Sequence, residues 1–247
     1  MTVMATSFGE RLVNMFIDHH DLLLYGVRNT LILAIFGTIF GLLLALVLVV
    51  FRLGGFQVSS GWFRHLQKRV LKIATALYIG FFRGTPMMVQ AMILYYGLQT
   101  AGVRIPVLMA GLVVVSLNTA AYLTEILKAG ILSLDAGQSE AALSLGLTPG
   151  QTYRRVVFPQ ALRNMLPAIG NELVVNIKDT AVLSVIGVSE LFFMGRRVGS
   201  ASYRFTEAFV LVSILYLVLV NAAVFLLMRL TRHRKSSLPV SDSGVLV

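Results

Sequence analysis

Apolar residues in this chain come in long runs rather than in alternation. Five runs stand out, over residues 22–51, 71–98, 105–127, 166–188 and 205–230, separated by stretches where charged and small polar residues concentrate. A helix needs about 20 apolar residues to cross a hydrocarbon layer about 30 Å thick, and each run meets that length. Short segments of strict apolar–polar alternation, the mark of a transmembrane barrel, do not occur. The pattern predicts an all-α polytopic membrane protein, a single transmembrane domain of five transmembrane helices whose termini lie on opposite faces.

Between the third and fourth runs, residues 135–159 have mixed polarity and read as a helix-turn-helix. Gly146 suits the left-handed conformation that closes a helix. Thr148 then serves as an N-cap, Pro149 falls at the first helical position, and Gln151 completes a capping box. Pro159 is expected to stop this second helix by biasing Phe158 out of the helical region. The two short helices place Ala141, Ala142, Leu145, Val156 and Val157 beside Arg154 and Arg155. That composition suits a knob for a partner's groove; the alternative is an ordinary interfacial loop.

Several positions inside the runs need a reason. Phe82-Arg83-Gly84-Thr85-Pro86 interrupts the second run, and the proline removes a backbone hydrogen bond, so a kink or break is expected near Thr85. Irregular backbone at membrane depth survives where it is buried in protein or lines a cavity, so the break points to a pathway; a proline kink without a role is the alternative. Gln90, Tyr95 and Tyr96 follow. Asn118, Thr119, Tyr122 and Glu125 punctuate the third run, and Glu172, Asn176, Lys178, Asp179 and Thr180 the fourth. A carboxylate within a span is a functional candidate by default, which singles out Glu125. Lys178 and Asp179, as sequence neighbours, do not share a helix face. The competing reading has one of them neutralise Glu125 or Arg83.

Charge sets the orientation. Arg52, Arg64, Lys68, Arg69 and Lys72 follow the first run, Arg154, Arg155 and Arg163 the third, and Arg229, Arg232, Arg234 and Lys235 the last. Basic loops favour the cytoplasm, which puts the C-terminus inside and the N-terminal arm, with Glu10, Asp18 and Asp21 against Arg11 and Arg28, outside. The connection carrying Arg196, Arg197 and Arg204 conflicts with this rule and is assigned outside because the other segments outvote it. Residues 54–67 are expected to form an amphipathic surface helix around Trp62, Phe63 and Leu66. The charged arm ahead of a very long apolar run argues against a cleavable signal peptide, and residues 236–247 read as a disordered tail.

Composition removes other classes. With 57% hydrophobic and 13% charged residues and a mean hydropathy of +0.81, the net charge of +10 reflects cytoplasmic loops rather than nucleic-acid binding. The chain has no cysteine. Its histidines, His19, His20, His65 and His233, lie outside the runs and make no metal-ligand pattern. No glycine-rich phosphate cradle with Lys and Ser/Thr occurs, so any ATP is bound by another chain.

The module at 135–159 resembles the EAA signature of permease subunits in bacterial ATP-binding-cassette importers. It reads Glu140-Ala141-Ala142, three residues, Gly146, nine residues, then Val156-Val157-Phe158-Pro159, with Val156 and Phe158 departing conservatively from the family's Ile-x-Leu-Pro ending. Further stretches are similar to the polar amino acid branch: Phe82 to Pro86 with Val89-Gln90, Tyr95-Tyr96-Gly97, Ala121-Tyr122 with Glu125-Ile126, Pro159 to Arg163, Gly170-Asn171-Glu172, and Lys178-Asp179-Thr180.

The resemblance implies a type I importer permease, non-catalytic, in the bacterial inner membrane. Its partners would be two ATPase subunits that bind ATP and Mg, a second permease of the same or a sister chain, an external solute-binding protein, an amino acid substrate and membrane lipid. Glu140, Ala141, Ala142, Gly146 and Pro159 would couple to the ATPase. Arg83, Thr85, Gln90, Tyr95, Asn118, Tyr122, Glu125, Lys178, Asp179 and Thr180 would line the substrate pathway. A stand-alone secondary carrier or channel for a small polar solute is the rival reading.

Overall fold

A computed structural model describes residues 7–53 and 62–232, and the side chains of 62–66 and 230–232 are not described. The tail at 236–247 and most of the linker at 54–67 therefore lie outside the described residues. Trp62, Phe63 and Leu66 fall within the helix of the second span rather than in a separate one.

The first run belongs to α1, Phe8–Arg52, a single 45-residue helix. Ser7 and Glu10 form a capping box at its start, so the charged arm ahead of residue 22 is the opening of this helix. At 1.5 Å per residue α1 measures about 68 Å, roughly twice a hydrocarbon layer. Its glycines allow close approach: a methyl on Gly26 would lie 2.8 Å from Leu191 Cα, and one on Gly41 would lie 2.9 Å from Thr119 Cβ.

The second span is broken as expected. α2, Trp62–Gly84, ends before Thr85-Pro86, and α3, Met87–Thr100, restarts beyond them. α4, Val107–Leu132, lies at the centre, packed on α1, α2, α3 and α7.

After α4 come the short helices α5, Ala136–Ser144, and α6, Pro149–Thr152. Here the expected stop at Pro159 does not occur. A π turn, Tyr153–Val157, leads straight into α7, Phe158–Asp179, and Phe158 is helical at φ −61, ψ −44. The wider turn accommodates the missing proline N–H in the first turn of α7, where helices tolerate it. The fourth run also ends earlier than expected. α7 stops at Asp179, a 3₁₀ segment runs over Thr180–Ile186, and Gly187 closes it at φ +88.

The fourth connection is itself a helix, α8, Leu191–Ser202, followed by α9, Phe205–Arg232. Among the described helices, α1, α4 and the 205–229 part of α9 are long and apolar enough to cross a membrane on composition alone. α7 carries Arg163, Glu172, Lys178 and Asp179 and relies on protein neighbours.

α7 and α9 run antiparallel, Gly170 packing on Leu227, whereas α8 packs on the opening turns of α9 through Gly195 against Val212 and Gly199 against Phe205. The 28 residues of α9 rise about 42 Å. α8 and the α5–α6 module therefore stand at opposite ends of the bundle.

Candidate functional site

Two places gather the residues singled out in the sequence. The first is the α5–α6 module. Asp135 caps α5 by accepting from Gly137 N at 2.8 Å. Its C-terminal carbonyls accept from Leu145, Gly146 and Leu147, with Gly146 at φ +84, a conformation that disfavours any Cβ. Thr148 and Gln151 form the reciprocal capping box, at 3.3 and 3.0 Å. The local sequence thus builds a rigid knuckle.

Glu140 and Ala141 face solvent. Ala142, 5% exposed, is buried within the chain, so its small size serves internal packing. The apolar tip is instead Leu145, 84% exposed, beside Leu143. Arg154 and Arg155, with Thr148, Gly150 and Gln151, line a recess of about 590 Å³. Pro159 sits half-buried at the base of α7. Burial raises the pKa of the Tyr153 hydroxyl, so it stays protonated between the module and α7.

The second place is a cavity of about 380 Å³ lined by Thr85, Pro86, Met87, Asn118, Tyr122, Glu172, Val175 and Asp179. The break between α2 and α3 shapes one wall. Thr85 Oγ1 donates to Phe81 O at 2.7 Å. Gln90 Nε2 donates to Phe82 O, Thr85 O and Thr85 Oγ1, each at 2.9 Å. Asn118 Nδ2 donates to Gln90 Oε1 at 3.0 Å and to Phe82 O at 3.2 Å. The carbonyls freed by the proline are thus satisfied by two buried amides, the condition for a broken helix at membrane depth.

Glu172 and Asp179 are seven residues apart on α7, hence on one face, and both open on the cavity. Neither carboxylate enters a hydrogen bond or ion pair among the described residues. Arg83 lies over the Tyr122 ring, 5.4 Å from its centroid, beside the cavity.

The remaining candidates lie elsewhere. Glu125 pairs with Arg52 at 3.1 Å and Lys128 at 3.5 Å, outside the cavity lining. Lys178 is exposed and does not line the cavity. Thr180 is buried and donates to Ile177 O at 3.0 Å. Tyr95 packs on the apolar cluster of Leu33, Ala91 and Val114. Gln90 lines a separate, mostly apolar cavity of about 200 Å³.

Two polar groups were not singled out as site residues. Asn176 joins three helices, donating to Thr38 Oγ1 at 2.8 Å and Thr119 Oγ1 at 2.9 Å. Glu190, 0% exposed, caps α8 by accepting from Phe192 N and Phe193 N and takes the Tyr216 hydroxyl at 2.9 Å. A Ser-Glu pair following a glycine was the available signal for a helix start there.

Known proteins resemble this chain in sequence and fold. The family model of the binding-protein-dependent transport system inner membrane component matches residues 57–237. The arginine transport system permease protein ArtQ of Bacillus subtilis (strain 168) is 36% identical over 216 residues, covering 87% of this chain and 93% of that protein. The glutamine transport system permease protein GlnP of Escherichia coli (strain K12) is 36% identical over 217 residues, with the same shares. A crystal structure of an amino acid ABC transporter with histidines aligns with TM-score 0.80 at 32% identity, over 93% of this chain and 100% of that one. The inward-facing MetNI methionine ABC transporter, at 22% identity and TM-score 0.65 over 86% and 95%, shares the fold.

These matches set aside a stand-alone carrier or channel. The chain belongs to the family of binding-protein-dependent transport system inner membrane components, as a non-catalytic permease subunit of an ABC importer.

Proposed function

We propose that this chain carries a polar amino acid across the bacterial plasma membrane through the cavity between the α2–α3 break, α4 and α7. One observation supports the cargo class above others. The first turn of α3, which lacks a side-chain cap, opens on the same space as Glu172 and Asp179. An amino acid presents a carboxylate and an ammonium on one carbon. Free backbone N–H groups at a helix start receive the carboxylate, and an unpaired side-chain carboxylate receives the ammonium. Arg83 is the further cation near the cavity. The arginine and glutamine named in two relatives fit the same chemistry.

The α5–α6 module faces the cytoplasm in this reading. The N-terminal turns of α1 and the whole of α8 then lie outside, and the C-terminus inside. Two ATPase subunits, which hold ATP and Mg, grip this knuckle and its counterpart on a second permease, a like or sister chain. Their closure moves α5–α6 as a rigid piece and draws α7 with it, because only a π turn separates α6 from α7. Exposed Leu77, Ile93, Leu217 and Leu226 contact lipid.

The test is uptake in proteoliposomes containing the permease, its ATPase and a loaded binding protein. ATP-dependent import of a polar amino acid is expected, with Asp179→Asn and Glu172→Gln each lowering kcat/KM by about tenfold or more while the ATPase stays attached. Unchanged uptake kinetics in both variants, across all polar amino acids tried, would remove this cavity from the pathway.

A further inference from the structure

Between Asp21 and Glu125 the sequence contains no acidic residue. Lys68, Arg69 and Lys72, in the opening turns of α2, therefore have no carboxylate close in sequence, and none of them forms an ion pair among the described residues. Glu125, at the same end of the bundle, is already shared by Arg52 and Lys128. Lys72 follows Lys68 by four residues and Arg69 by three, so the cations are neighbours on the helix surface and repel one another. Lys68 is half-buried and the other two are exposed.

Their depth follows from the contacts that α2 and α3 make with α4. Phe82 O accepts from Asn118 Nδ2, and beyond the break Ala91 shares an apolar cluster with Val114 and Ala110, so α2–α3 and α4 run antiparallel. Asn118 lies about 17 Å along α4 from its start at Val107, near the middle of a layer about 30 Å thick. Counting back from Phe82, Lys72 lies about 15 Å and Arg69 about 20 Å toward the α5–α6 end. That is the depth of the headgroups. α2 has left the bundle by then, since no residue from Gln67 to Ala74 is buried. Val70, Ile73, Leu77 and Phe81 form an exposed apolar stripe along one face of α2. The stripe runs from the level of the cavity down to the cations.

We propose that Lys68, Arg69 and Lys72 bind the headgroups of anionic phospholipid in the cytoplasmic leaflet, and that this hold sets the position of the α2–α3 break. The choice of leaflet rests on the orientation given above. The stripe favours lipid over the ATPase or any other soluble acidic partner. Val70 and Ile73 lie within a turn of Arg69 and Lys72, so one lipid meets its acyl chain and its phosphate at adjoining sites. A soluble partner would leave the stripe in water. Each basic residue at this depth adds to the attraction for an anionic surface. α2 is unbroken from Trp62 to Gly84, so fixing its start also fixes Thr85 and Pro86, which wall the cavity with Glu172 and Asp179.

The experiment uses the whole permease–ATPase complex in nanodiscs of phosphatidylcholine, with or without one third phosphatidylglycerol. The wild type is compared with Lys68→Gln/Arg69→Gln/Lys72→Gln and with the charge-retaining Lys68→Arg/Arg69→Lys/Lys72→Arg, co-purification of the ATPase serving as the folding check. Electron paramagnetic resonance of spin-labelled lipids measures which lipid the complex immobilises. The wild type and the charge-retaining variant should prefer phosphatidylglycerol by about threefold or more, a preference that added salt weakens and the glutamine variant loses. Hydrolysis of ATP stimulated by the loaded binding protein should rise about threefold or more with phosphatidylglycerol in the wild type, and stay flat in the glutamine variant. Equal lipid preference in the wild type and the glutamine variant overturns the proposal. So does loss of the ATPase from the glutamine variant with its lipid preference intact, which assigns the cations to the ATPase. Lipid-independent hydrolysis by the wild type would overturn the link to the break. A charge-dependent lipid preference in a complex that no binding protein stimulates would support the lipid site and overturn the importer reading instead.

Discussion

Arg52 Nε lies 3.1 Å from Glu125 Oε1, joining the last turn of α1 to the C-terminal half of α4. Lys128 approaches the other carboxylate oxygen at 3.5 Å. Glu125, the carboxylate that stood out most in the sequence, is thus neutralised by its own chain at one end of the bundle. Glu125→Gln should leave the KM for cargo unchanged and lower stability by about 1 kcal/mol, since the three side chains remain partly solvated. Thermal unfolding of the purified complex alongside uptake kinetics checks both; a raised KM at unchanged stability would return Glu125 to the pathway.

Gly146 is the pivot of the module. Its φ of +84 makes any side chain there cost about 1–2 kcal/mol, yet the space around it is open. Gly146→Trp should therefore fold and insert while putting bulk beside Leu145, the exposed tip. Transport should drop and ATP hydrolysis should no longer follow it. Normal uptake by Gly146→Trp and by a Glu140 variant would refute the coupling assignment.

Glu190 should behave as a structural pin. Glu190→Ala removes the acceptor of the Phe192 and Phe193 N–H groups and of the Tyr216 hydroxyl, each part-buried, while Tyr216 keeps its hydrogen bond with Thr30, for a loss of about 3 kcal/mol. Glu190→Gln, which still offers one acceptor oxygen, should lose less. Comparing the urea or heat sensitivity of the two variants in detergent is the measurement, and equal stability of both with the wild type would contradict the pinning role.

Gln90 supports the break from the α3 side. Gln90→Leu keeps the volume and removes the two N–H donors shared among Phe82 O, Thr85 O and Thr85 Oγ1, leaving Phe82 O to Asn118 alone and the Thr85 carbonyl short of a partner at membrane depth. The expected result is a loss of about 1–3 kcal/mol together with impaired transport. The double variant Gln90→Leu/Asn118→Leu should cost less than the sum of the two single changes, because the residues share one network. Strict additivity would show that they act apart.

Local features were legible in the order of residues. The Thr148–Gln151 capping box, the left-handed Gly146 and the break at Thr85-Pro86 each depend on neighbours within a few positions, and each formed as its residues specify. The fate of Pro159 was not legible. Its bias against a helix is local, but the π turn that absorbs it continues into α7, which is held by α4 and α9. The helix of the fourth connection was equally hidden, since α8 is half apolar and short, and it gains its stability from the close packing of Leu191 on Gly26 and of Val212 on Gly195.

The sequence by itself determined the membrane class, the helical architecture, the chemistry of the α5–α6 knuckle and the family, because apolar run length, capping and motif spacing are properties of the chain in order. Only the tertiary structure decided which polar residues meet. It gave Glu125 to Arg52, spent Ala142 on internal packing and left Lys178 facing outward, while Glu172 joined Asp179, Asn118 and Thr85 around one cavity. The reason is physical: the cost of a charge within a membrane depends on what lies a few ångströms away, and those neighbours come from helices distant in sequence.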